Sequence, residues 1–152
     1  SEKGAIAMLP EPFVSTALAA GGDSVKQLFD LNELWNEATG QELPMGVLVA
    51  RRGFVSDRPA DLEVLLKDYA ESVDFVNSDD GAGALIVEKG FIGKEAIAKS
   101  AISRCKMVLF TGTNAGEGAD ILRTFNQTLY DMEPASVGGV LPDEELYYAG
   151  AE

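Results

Sequence analysis

Pro10, Glu11, Pro12 and Phe13 are the residues whose types and spacing point most directly to ligand chemistry. They set one carboxylate between two stiff prolines, where the apolar run Gly4–Leu9 stops and a helical pattern begins. In open α/β sheets, ligands bind beyond the carboxyl ends of strands, and helix N-termini favour anionic or polar groups. Pro10, Glu11, Pro12 and Phe13 are therefore predicted to be ligand-binding. The same pattern suits a rigid turn in which Glu11 caps the helix, and the residues alone leave both readings open.

Few other groups offer chemistry. The chain has no histidine, so Ser-His-Asp triads, Cys-His pairs and His-ligated zinc are excluded. Cys105 lies between Arg104 and Lys106, whose charges favour a thiolate. With no imidazole base, it reads as a buried structural cysteine at the start of a strand. Asp79-Asp80 and Asp143-Glu144-Glu145 offer oxygens to a hard cation, but neither has the spacing of a calcium loop. They read as caps and solvated turns. No catalytic residue, no metal site and no cofactor is expected, and the chain is predicted not to be an enzyme.

One stretch opposes that reading. Thr111, Gly112, Gly116 and Gly118 follow an apolar run and precede a helical pattern. Their spacing resembles the nucleotide loop of short-chain dehydrogenases, whose glycines let the backbone approach a pyrophosphate. No Tyr-x-x-x-Lys follows, and Glu117 places a carboxylate where phosphates would lie. A glycine-rich helix start is preferred, with a dehydrogenase-like nucleotide-binding fragment as the alternative function. A P-loop is excluded, because no Gly-Lys-Ser/Thr occurs.

The elements that would position these groups are read from periodicity. Short apolar runs at Gly4–Leu9, Val25–Leu31, Met45–Ala50 and Lys106–Phe110 are predicted strands. Helices are predicted over Phe13–Ala20, Asn32–Ala38, Ala82–Lys89 and Lys94–Ser103. Another runs through Leu62, Leu65, Leu66, Tyr69, Val73 and Val76, and a last one through Ile121, Leu122, Phe125, Leu129 and Met132. Ala135–Glu152 is a predicted loop. Strands alternating with helices indicate an α/β fold. About four strands are fewer than the ~5–6 of an average sheet, which suggests part of a larger fold.

Composition bounds the partners. Lys plus Arg total 12 against 25 Asp plus Glu, a net charge of −13, which disfavours nucleic acid and anionic membranes. Lys26, Arg51, Arg52 and Arg58 do not amount to a basic patch. One cysteine cannot form an internal disulfide. No targeting segment is visible at Ser1-Glu2-Lys3-Gly4, and the apolar runs are far shorter than the ~20 residues of a membrane span.

Several segments carry a family resemblance. Ala5–Val14 with its Glu-Pro pair, Gly46–Pro59, Leu62–Val76 and the tail Ala135–Tyr148 (Ala-Ser-Val-Gly-Gly-Val-Leu-Pro-Asp-Glu-Glu-Leu-Tyr-Tyr) resemble, in order, solute-binding proteins of ABC importers. The branch is that of nitrate, sulfonate, taurine and thiamine-precursor uptake. The resemblance implies part of a two-lobed periplasmic-binding-protein-like (type II) fold, represented by its C-terminal half. Residues 1–43 would end the second lobe and cross the hinge, and residues 44–152 would form the C-terminal portion of the first lobe with its tail. It implies an extracytoplasmic receptor, periplasmic or lipid-anchored, with its signal segment absent from this chain. Such a receptor closes on a small-molecule ligand and delivers it to ABC permease subunits. Strands that lose their neighbours expose open edges, so a homo-oligomer is also expected.

Overall fold

The computed structural model describes residues 4–148. Ser1–Lys3 and the last four residues of the predicted tail lie outside that range. Among the described residues the chain forms α1 (Phe13–Gly21), α2 (Leu31–Thr39), α3 (Arg52–Asp57), α4 (Pro59–Ser78), α5 (Ala82–Glu88), α6 (Glu95–Cys105) and α7 (Ala115–Met132). Short 3-10 turns lie at Gly22–Ser24, Gly112–Asn114, Pro134–Val137 and Glu144–Leu146. No strand occurs among the described residues. The expected α/β, two-lobed periplasmic-binding fold is thereby corrected to a helical architecture.

The correction has a physical cause. A strand exists only when its N–H and C=O groups find a neighbouring strand, and a short apolar run does not specify that neighbour. Gly4–Leu9 and Met45–Ala50 form no ladder, and their side chains face solvent: Ile6 is 88% and Val49 78% exposed. Val25 is extended, but its N–H donates to Gly22 O, and Leu31 opens α2. Lys106 caps α6 in the left-handed region (φ 45°), and the carbonyl of Met107 accepts from Asn77 Nδ2 at 2.8 Å.

The predicted helices form where capping and periodicity agree. Asp30 caps α2 by accepting from the N–H groups of Asn32 and Glu33, and Gly40 ends that helix at φ 70°. Pro59 opens α4, where its missing N–H has no intrahelical partner to lose. The helical periodicity of Leu62–Val76 is present in α4, but its apolar face is only partly covered. Leu62 is buried, while Leu65 and Tyr69 are exposed. No helix among the described residues is long and apolar enough to cross a membrane.

The described chain divides into two compact units, each discontinuous in sequence. The first comprises the chain up to Leu28 with Asp68–Val108. Its centre is made of small residues: Ala82 on α5, and Ala98 and Ala101 on α6, are buried. Small side chains let helices approach closely, and a Cβ at Gly83 would lie 2.8 Å from Lys99 Cγ. The second unit comprises Phe29–Lys67 with the chain from Leu109 onward. It buries Leu62, Ala115 and Ala119, and sets Trp35 edge-on to Phe125 with ring centroids 5.6 Å apart. Its C-terminal segment is held by Arg123, which donates to Glu144 at 2.8 Å and lies over the Tyr147 ring.

Candidate functional site

The sequence-predicted site residues sit at the start of α1 in the first unit. Pro10 O accepts the N–H groups of Phe13 and Val14, and Pro12 O accepts that of Thr16. The Glu11–Pro12 peptide is cis. Glu11 Oε2 accepts the N–H of Ser15 at 3.2 Å, so its carboxylate serves one of the donors that a helix start leaves without a partner. The Glu11 side chain is only 13% exposed, and its other oxygen lies 3.7 Å from Arg104 Nη1 on α6. Arg104 Nη1 also donates to Gln27 Oε1 at 2.8 Å. Ser15 is buried and donates through Oγ to Ser100 Oγ at 3.2 Å, tying α1 to α6. Phe13 faces solvent at 60% exposure.

Cys105 lies beside this cluster. The residue is exposed at the surface and not buried as expected from the sequence. Its thiol pKa is raised, first because the sulfur is partly screened from water and second by the charge of Glu11. That is the opposite of an activated nucleophile. On the same helix Lys99 pairs with Glu95 at 2.9 Å, and its pKa is raised chiefly by that hydrogen bond.

The glycine-rich stretch of the second unit has a structural task at each end. The Thr111 side chain and Asn114 form a reciprocal capping box, with Thr111 N–H donating to Asn114 Oδ1 at 2.7 Å. Gly112 takes φ 55°. A Cβ at Gly118 would lie 2.5 Å from Phe110 Cβ, so this glycine lets α7 pack on the preceding segment. The acidic run in the tail is matched by cations. Arg52 pairs with Asp143 (4.0 Å) and Glu145, and Glu144 holds Arg123, whose pKa it raises through their hydrogen bond. Among the described residues no group of three or more acidic or cysteine side chains is placed to hold a metal.

A second candidate site was not legible from the sequence. Arg51, Gly53, Phe54, Asp57 and Arg58 line an open concavity of about 370 Å³ in the second unit. The short helix α3, absent from the sequence-based prediction, brings them together. Arg58 Nε donates to Asp61 at 2.6 Å, and its guanidinium carbon lies 5.6 Å from the Phe54 ring centroid. The side chain of Arg51 makes no hydrogen bond or ion pair among the described residues. The available signal was the spacing of Arg51, Phe54 and Arg58 at offsets 0, 3 and 7, a helix-face pattern.

Comparison with known proteins gives one family match. Residues 15–87 match a family model for menaquinone biosynthesis. The match covers just under half of the chain. It includes the whole Arg51–Arg58 concavity and begins beyond Pro10, Glu11, Pro12 and Phe13. No curated protein and no solved structure matches the chain. The match overturns the resemblance to ABC-importer solute-binding proteins, and with it the receptor function and the permease partners. It overturns the prediction of a chain that is not an enzyme, since the matching family is biosynthetic. The dehydrogenase alternative also finds no support in the match. The edge-pairing argument for a homo-oligomer loses its basis, because the strands it needs are absent among the described residues.

Proposed function

We propose that this chain acts as an enzyme, or as part of one, in menaquinone biosynthesis, with substrate held at the Arg51–Arg58 concavity of the second unit. The observation that carries this reading is the family match over residues 15–87. The geometry supports the placement: a concavity of about 370 Å³ has the size of a small-molecule site. It combines an aromatic wall at Phe54 with an unpaired guanidinium at Arg51. In this reading Glu11, Ser15, Ser100 and Arg104 form the framework that fixes α1 on α6. The test is genetic and chemical. Disrupting the encoding gene and quantifying menaquinone by mass spectrometry should show its loss, with recovery on return of the intact gene. Unchanged menaquinone in the disrupted strain would refute the assignment.

A further inference from the structure

We infer that the concavity lined by Arg51, Gly53, Phe54, Asp57 and Arg58 is an anion site that takes a carboxylate or a phosphate, with Arg51 as its principal contact. Three arginines lie within eight positions of a chain whose net charge is −13. Two of them are already engaged. Arg52 pairs with Asp143 and Glu145, and Arg58 pairs through Nε with Asp61 while lying over Phe54. Arg51 alone of the three has no partner among the described residues, and it lines a concavity large enough for a small organic ligand. A guanidinium stays charged at any working pH and offers a planar fork that matches carboxylate and phosphate oxygens.

The rest of the lining selects the same class. Arg58 is offset by Asp61, and the Asp57 carboxylate accepts from Ser56 Oγ at 2.8 Å, which leaves Arg51 as the lining cation with no counter-ion among the described residues. That single positive charge stands on a chain whose net charge of −13 repels anions at long range. Attraction must then come from direct contact, because charges further away than about 8 Å are screened at physiological salt. Phe54 supplies a flat apolar wall, which suits an anion carried on a planar organic body. The inference rests on the menaquinone reading only in assigning that anion to the substrate; anion binding is measured without it.

The experiment is an NMR titration of the full chain at low salt, with inorganic phosphate and with benzoate as separate probes. Saturable shifts are expected at the Gly53 and Phe54 amides and at Arg51 Nε. Saturation by benzoate alone identifies a carboxylate on a planar body, and saturation by phosphate alone a phosphate group; either supports the site. Arg51→Ala should weaken the productive probe roughly tenfold or more, as loss of a charge-assisted contact does. Arg51→Lys, which keeps the charge but not the fork, should lose less. Asp57→Asn should tighten binding, an effect that a purely structural role for this lining would not produce. Non-saturating shifts with both probes would overturn the proposal, as would equal affinity in wild type and a folded Arg51→Ala. Lost menaquinone without anion binding sinks only this proposal, and anion binding with unchanged menaquinone sinks only the pathway assignment.

Discussion

The Glu11 corner of the first unit and the Arg51 concavity of the second carry similar groups in opposite states. At the corner, carboxylate, hydroxyls and guanidinium are turned on one another. Glu11 serves Ser15 N–H, Ser15 meets Ser100, and Arg104 lies between Glu11 and Gln27. In the concavity, Arg51 has no counterpart among the described residues, while its neighbours Arg52 and Arg58 do. Polar groups engaged with each other hold helices together, whereas an unpaired guanidinium in a hollow is free to hold a ligand. The motif that looked most functional in the sequence is thus the better candidate for structure, whereas Arg51 and Arg58, which did not amount to a basic patch in the sequence, line one concavity.

The largest expected effect is at the joint between α1 and α6. Ser15 is buried against Ser100, so Ser15→Leu must force extra volume into a closed contact at a cost of about 1–3 kcal/mol. Chemical denaturation measures it. A surface change such as Arg51→Ala should stay within about 0.5 kcal/mol of wild type. Equal losses for the two would erase the contrast between the sites.

Two glycines of the Thr111–Gly118 stretch sharpen the comparison inside the second unit. Gly118→Ala places a Cβ 2.5 Å from Phe110 Cβ, and the resulting shift should outweigh the gain in helix propensity, for a net loss of about 1 kcal/mol. Gly116 meets nothing within 4 Å. Gly116→Ala should therefore be neutral or stabilising by up to about 1 kcal/mol. A melting-temperature series on both variants separates packing glycines from ligand-approach glycines, which would tolerate both changes in stability and fail in binding.

Glu11→Ala removes a capping acceptor and the neighbour of Arg104, and should cost about 1 kcal/mol. The pH profile of Cys105 is a smaller effect at the same corner. Its raised pKa means that alkylation by iodoacetamide should lag behind that of a free cysteine near pH 8.5 and recover only at higher pH. Screening of the sulfur from water is the main cause. Glu11→Gln, which removes only the secondary one, should speed the reaction modestly. The linked stability term has a fixed sign. A thiol whose folded pKa is raised is fully protonated in both states below its unfolded value, and stability is lost as pH climbs from there through the folded pKa. Alkylation faster than that of a free cysteine would contradict this description of the corner.

The helices were legible because their signals are local. Asp30 and Gly40 bracket α2, Pro59 opens α4, and Pro134 follows the end of α7. The runs read as strands failed because pairing is not local: nothing in Met45–Ala50 names a partner, and among the described residues it has none. Glu11 was legible as a candidate, and capping was one of its two open readings. The concavity was missed because α3 is only six residues long. What makes Arg51 distinctive is that its neighbours are paired, and those partners include Asp143 and Glu145, far away in sequence.

The contrast is tested most directly by the anion-induced rise in melting temperature, measured with the productive probe on wild type, Arg51→Ala and Glu11→Ala. At probe concentrations near 100 times the dissociation constant, wild type should gain about 2.7 kcal/mol. Glu11→Ala should start from a lower melting temperature and keep the full increment. Arg51→Ala should start at the wild-type temperature and lose most of it. An increment that vanishes in Glu11→Ala and survives in Arg51→Ala would place the ligand at the proline corner and contradict the assignment made here.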